Sequence, residues 1–202
     1  MRVAVLASGE GTNLQALVDQ IHERHGVEIV AVASDKAEAR ALDRARAAAI
    51  DYRSFLRDEY EGRETRDRAM AIWLSDLGAE LVVLAGYMQL LSRAFLEAFP
   101  LKIINVHPAL LPAFPGLAAV EQALAYGVKV FGVTVHFVDD GVDTGPVILQ
   151  RAIELPDARE PDHVLARLQP IEHELLPEAV KLIAQGAVSF DPANPRRVVI
   201  GR

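Results

Sequence analysis

Cysteine is absent from the 202 residues, which removes thiol nucleophiles, disulfides and cysteine-ligated metal sites together. No stretch approaches the roughly 20 consecutive apolar residues that span a bilayer. The first residues run straight into Ser8-Gly9-Glu10-Gly11 with no secretory h-region or cleavage pattern, so a cytoplasmic location is expected. His22, His25, His107, His136, His163 and His173 fall at no usual metal-ligand spacing, and no resident metal is expected. Internal repeats, low-complexity segments and linkers are also missing. Acidic residues outnumber basic ones, 28 to 21, and a net charge of −7 argues against a nucleic-acid surface while leaving room for a local phosphate pocket. What is present is 51% hydrophobic and 24% charged. That composition predicts one well-buried domain over residues 1–202, a monomer or homodimer whose partners are small molecules, with neither nucleic acid nor membrane among them.

Chemistry concentrates in Ile103-Ile104-Asn105-Val106-His107-Pro108-Ala109-Leu110-Leu111-Pro112. A buried apolar run ends there, and in an extended segment positions i and i+2 share a face, so Asn105 and His107 project side by side from a strand end. Pro108 and Pro112 stop the strand. A single histidine at a strand end is more often structural than catalytic, and a site needs a partner group. The candidate is Asp143, in Asp139-Asp140-Gly141-Val142-Asp143-Thr144-Gly145-Pro146, a tight turn able to aim a carboxylate.

Apolar runs at 3–7, 27–33, 81–85 and 101–106 read as strands, with a short edge strand at 51–55. Helical patterns separate them: Leu14, Leu17, Val18 and Ile21; the alanine-rich 37–49; and 63–77, with Ala69, Ile72, Trp73 and Leu77 on its expected buried face and Gly78 as its cap. Ser92 is placed to cap a helix through Phe99. A helix over 120–126 ends at Gly127; strands at 131–138 and 146–155 can pair antiparallel; 162–185 is helical but perturbed by Pro170 and Pro177. The alternation predicts an α/β fold with a doubly wound, mostly parallel, Rossmann-like sheet and an antiparallel C-terminal extension. Its halves are about 1–100 and 101–186, and the tail 187–202 is polar and unassigned.

Ser8-Gly9-Glu10-Gly11-Thr12-Asn13 follows the first strand and opens the first helix, where unpaired backbone N–H groups and the helix dipole favour an anion. Thr12 and Asn13 add side-chain donors. Three readings stand: a terminal-phosphate loop, a dinucleotide fingerprint with Asp35 as ribose acid, and a structural turn. Leu14 in place of the third glycine, and Glu10 beside a pyrophosphate, weigh against the second; the Gly-Lys-Ser/Thr of a Walker loop is missing.

Taken together, Gly9-x-Gly11-Thr12-Asn13, Asn105-x-His107-Pro108-x-Leu110-Leu111-Pro112, Pro115-Gly116 and Gly132-x-Thr134-Val135-His136-Phe137-Val138-x-Asp140-x-x-Asp143-x-Gly145-Pro146 closely resemble the phosphoribosylglycinamide formyltransferase family. The likeness runs from Arg2 to about Ile183; the later motifs mark the wider folate-dependent formyltransferase superfamily and the glycine loop discriminates within it. The resemblance implies transfer of a formyl group from N10-formyltetrahydrofolate, as co-substrate, to the amine of 5-phosphoribosylglycinamide in de novo purine biosynthesis. It implies a catalytic trio of Asn105, His107 and Asp143, phosphate held by Gly11, Thr12 and Asn13, and Glu172 on the ribosyl or glycinamide part. It also implies a folate pocket lined by Arg63, Met88, Gln89, Leu90, Leu91, Asn105, Val138, Asp139, Asp140 and Asp143, and a cis peptide at Leu111-Pro112. Gln89, Ala113, Ala118 and Phe131 depart from the basic or histidine side chains common in the family, which implies weaker charge contacts and the same reaction type.

The implied chemistry is direct attack of the amine on the formyl carbon. Asn105 and protonated His107 face the developing oxyanion, and His107, supported by Asp143, moves protons. His136 is expected in a core or supporting role, and His173 in a structural one. The rival readings are a formyltetrahydrofolate hydrolase, an NAD(P)-binding oxidoreductase and a catalytically silent folate-binding module.

Overall fold

A computed structural model describes residues 1–201. Among the described residues seven strands are hydrogen-bonded in the order β3-β2-β1-β4-β5-β6-β7, and a separate pair is formed by β8 and β9. Those strands are β1 (Arg2–Leu6), β2 (Glu28–Ser34), β3 (Asp51–Ser54), β4 (Leu81–Leu84), β5 (Ile103–His107), β6 (Val130–Phe137), β7 (Val147–Glu154), β8 (Val188–Asp191) and β9 (Asn194–Ile200). The helices are α1 (Thr12–Ile21), α2 (Arg40–Ala47), α3 (Arg63–Asp76), α4 (Arg93–Ala98), α5 (Ala119–Tyr126) and α6 (Pro161–Ala184). The expected doubly wound, mostly parallel sheet with an antiparallel extension is the observed fold. Among the described residues no helix is long and apolar enough to cross a membrane.

The chain forms two compact units, Met1–Ile104 and Asn105 onward. In the first, β1 pairs in parallel with β2 on one side and β4 on the other, and β2 pairs in parallel with β3. Val3, Ala4, Val5, Leu6, Val82 and Val83 are wholly buried, as a sheet covered on both faces requires. Because β1 is followed by β2 on one side while its other neighbour is β4, the chain reverses its winding direction at β1, and loops leaving β1 and β4 flank a crevice of the kind that holds ligands in such sheets.

Two expectations fail in this unit. Helix α3 buries Arg66, Asp67, Met70, Ala71 and Leu74, and Ile72 is 56% exposed. The inward stripe begins with two charged residues, which an apolar pattern cannot reveal. They are compatible with burial because Arg66 donates from Nε and Nη2 to Asp67 Oδ1 at 3.0 and 2.8 Å. Ser92 does sit at the start of α4, but its hydroxyl makes no cap; its backbone N–H instead donates to Asp67 Oδ2 at 2.6 Å. The loop after β4 is therefore tied to a buried ion pair. Tyr87, on the same loop, is 8% exposed, and burial pushes its phenol well above its ordinary value.

In the second unit β6 and β7 pair antiparallel, from Val130 opposite Glu154 to His136 opposite Val147. Helix α6 continues unbroken through Pro170 and Pro177, with Val164, Leu168, Leu175, Leu176 and Val180 buried. The polar tail, unassigned from sequence, contributes β8 and β9, a hairpin whose Phe190 packs on Phe137 with ring centroids 5.1 Å apart.

Candidate active site

The end of β5 presents Asn105 and His107 on one face, as the i, i+2 spacing requires, and the turn after β6 brings Asp143 against both. His107 Nδ1 lies 3.3 Å from Asp143 Oδ2, and Asn105 Nδ2 lies 3.4 Å from Asp143 Oδ1. Asp143 occupies the left-handed region at φ 53°, a strained position for a non-glycine residue. The turn that holds it is fixed at its neck: Phe137 N–H donates to Pro146 O at 2.9 Å, and a Cβ on Gly145 would meet Phe137 O at 1.8 Å, so only glycine fits there. Within the turn Asp139 Oδ1 accepts from Gly141 N–H and Thr144 Oγ1–H at 3.1 and 2.5 Å.

Three further groups join this cluster. His136, expected in a core or supporting role, has both: it is 1% exposed, and its Nε2 is 3.2 Å from Asn105 Nδ2 and 3.5 Å from Asp143 Oδ1. Its Nδ1 is 2.8 Å from Phe137 O, an acceptor for one ring N–H, so Nε2 is the nitrogen turned toward the Asn105 amide and the Asp143 carboxylate. That contact fixes which way the amide points. The other two come from backbone: His107 Nε2 donates to Phe114 O at 2.9 Å, and Gly116 N–H donates to Asp143 Oδ2 at 2.7 Å. Acceptor oxygens therefore stand at both ring nitrogens of His107, Phe114 O in a hydrogen bond at Nε2 and Asp143 Oδ2 in close contact at Nδ1.

The segment that supplies these two backbone groups carries left-handed residues at Phe114, Gly116 and Ala118, and Gln122 Nε2 holds the carbonyls of Pro115 and Leu117 at 3.1 and 2.8 Å. The Leu111-Pro112 peptide is cis. Leu111 N–H donates to Thr134 Oγ1 at 3.1 Å, and Gln150 Nε2 donates to Leu111 O at 2.8 Å.

Burial raises the affinity of Asp143 for a proton, but the His136 contact, the Gly116 N–H and the charges of His107 and His136 outweigh it, and the carboxyl is held below the usual range. A depressed folded-state value means the stabilisation is complete above the unfolded value of about 3.9 and is lost as pH falls through the folded one. The contribution of the Asp143 carboxylate to the stability advantage of the parent over Asp143→Asn therefore shrinks below about pH 4, measured by urea unfolding across pH.

In the first unit the glycine loop closes around Gly11, at φ 69°, where a Cβ would lie 2.8 Å from Ala41 Cα. Loop residues 8–13, Lys36, Gly86 and Met88 enclose a cavity of about 330 Å³. Lys36 escaped sequence reasoning, yet it is the cation at this cavity, its ammonium making no hydrogen bond or ion pair within the described residues. Glu10, the charge least compatible with an anion here, is paired with Arg40 at 2.9 Å. Met88 N–H donates to Ser8 Oγ at 2.9 Å and Gln89 Nε2 to Asp35 Oδ2 at 2.9 Å, so Asp35 engages a neighbouring loop. Met88 and Leu90 are each 59% exposed, Leu91 is half-buried, and Arg63 is exposed at the start of α3. In the second unit Glu172 is half-buried on α6, Val138 and Asp139 are half-buried, and Asp140 is exposed.

Residues 1–180 match the family model described as formyl transferase. The chain belongs to the formyl transferase family, on its phosphoribosylglycinamide formyltransferase branch. It is 41% identical over 181 residues to the phosphoribosylglycinamide formyltransferase of Bacillus subtilis, covering 89% of this chain and 93% of that one. The crystal structure of glycinamide ribonucleotide transformylase 1 from Symbiobacterium toebii superimposes with a TM-score of 0.95 at 45% identity, covering all of this chain and 94% of that one. A trifunctional purine biosynthetic protein of Homo sapiens is 42% identical over 190 residues, covering 94% of this chain, which spans only 19% of the human protein.

Proposed function

We propose that the chain transfers the formyl group of N10-formyltetrahydrofolate directly to the amine of 5-phosphoribosylglycinamide, in de novo purine biosynthesis, at Asn105, His107 and Asp143. The observation that carries this reading is the cluster itself: an amide and an imidazole, both contacting one carboxylate that its surroundings hold in the ionised form. The amine attacks the formyl carbon, and the carbonyl oxygen gains negative charge in a tetrahedral intermediate. An Nδ2 hydrogen of Asn105, in its long contact with Asp143, is free to shift to that oxygen, and the His107 imidazole, two residues along the same strand face, is the second donor. Collapse of the intermediate expels the folate N10, which takes up a proton as the former amine gives one away; His107 is the trio's group suited to that exchange. Phe114 O occupies His107 Nε2 in this structure, so the segment bearing it withdraws when the imidazole turns to substrate.

The phosphate is assigned to Gly11, Thr12 and Asn13 with Lys36, and the glycinamide or ribosyl part to Glu172. Folate contacts are assigned to Arg63 and Met88 to Leu91 of the first unit and to Val138 to Asp143 of the second; exposed Met88 and Leu90 offer apolar surface. If Lys36 faces the phosphate, Lys36→Met raises the KM for the ribonucleotide about 10-fold, the worth of one charge-assisted hydrogen bond, with little change in the folate KM. Steady-state kinetics with each substrate varied in turn checks this.

The reaction itself is tested by tetrahydrofolate release with and without the ribonucleotide. Release that depends on the amine and matches formylated product mole for mole supports transfer; equal release without it supports hydrolysis.

A further inference from the structure

The C-terminal hairpin reaches the Asp143 turn by two routes. Phe190 of β8 packs on Phe137, the residue next to His136 and the one that closes the neck of the turn. Arg196 of β9 donates from Nη2 to Thr144 O, the carbonyl of the residue that follows Asp143. The hairpin is itself ordered by its own polar contacts: Ala193 N–H and Arg196 N–H donate to Asp191 Oδ1 and Asn194 Oδ1 at 2.8 and 3.1 Å, and Arg197 pairs with Asp191 at 3.6 Å. These contacts meet a turn whose key residue is in an unfavoured backbone conformation and whose residues 140–142 and 144 are exposed. A left-handed aspartate persists only where its surroundings over-determine it. We propose that the hairpin is a brace for the Asp143 turn, with Arg196 a positioning residue that acts through Thr144 O to hold the carboxylate against His107. This rests on the assignment of Asp143 to chemistry made above.

The test is a cycle of Arg196→Met and Asp143→Asn, singly and together, with Arg196→Lys as the conservative variant and thermal unfolding as the control for folding. A carboxylate displaced by a fraction of an ångström costs much of its effect, so Arg196→Met lowers kcat about 10-fold with the ribonucleotide KM unchanged. Arg196→Lys restores most of the loss. In the Asp143→Asn background Arg196→Met causes no further loss, because both act through one group. A parental kcat in Arg196→Met beside a crippled Asp143→Asn overturns the brace alone, as does a loss of the same size in both backgrounds. Near-parental turnover in Asp143→Asn overturns the role of Asp143, and the brace with it.

Discussion

Replacing His107 with alanine lowers kcat by at least about 10²–10³, the usual cost of removing a donor aimed at a developing oxyanion, and further in so far as proton transfer is lost as well. Asn105→Ala costs a similar factor. Both variants fold, because each removes a side chain from a cluster whose remaining members keep partners: Asp143 retains the Gly116 N–H, and His136 retains Phe137 O. The ribonucleotide KM is expected to hold, since the phosphate is assigned to groups of the other unit. The double variant loses much less than the product of the single losses, because residues that act as a unit are not additive. Steady-state kinetics on the three variants, with circular dichroism for the fold, measures this. Turnover within a few-fold of the parent would remove that residue from the chemistry.

Asp67→Ala lowers the stability of the fold by about 3–5 kcal/mol, the cost of leaving one half of a buried ion pair alone. Asp67 is 0% exposed and accepts from the Arg66 guanidinium and the Ser92 N–H, so the substitution strands a buried cation and a buried donor together. The loss is a property of the broken pair more than of the pair itself. Arg66→Met with Asp67→Leu is expected to recover most of the stability, because two apolar side chains need no partners, although the Ser92 N–H stays unsatisfied. Urea unfolding of the parent, the single and the double variant gives the three values. The single variant also loosens the start of α4 and the loop before it, and the folate KM rises with it.

Much of this site is legible in the sequence, because period-two geometry is local: two polar residues at i and i+2 at the end of an apolar run must share a face. The turn around Asp143 is legible for the same reason, since glycine and proline mark it within a few residues. The groups that were not legible reach the site through tertiary contact or through the backbone. Phe114 O and Gly116 N–H carry no side-chain signature. His136 sits in an alternating strand where burial is the ordinary expectation, and only its placement opposite Asn105 reveals what it orders. Lys36 follows the second strand and meets the glycine loop only once β1 and β2 are paired. The buried face of helix α3 is not legible because its inward stripe opens on Arg66 and Asp67, a pattern that registers as solvent-facing unless the two neutralise each other. The hairpin is not legible in the polar tail because β8 has only four residues and Pro195 interrupts the strand pattern of β9.

The central claim, direct transfer among Asn105, His107 and Asp143 with no group carried on the protein, is tested by single-turnover quenching with formyl-labelled folate. The account predicts that label passes from folate to the ribonucleotide with none on the chain at any time, and stays on folate when the amine is withheld. Label bound to the protein at early times, discharged on addition of the amine, would contradict it.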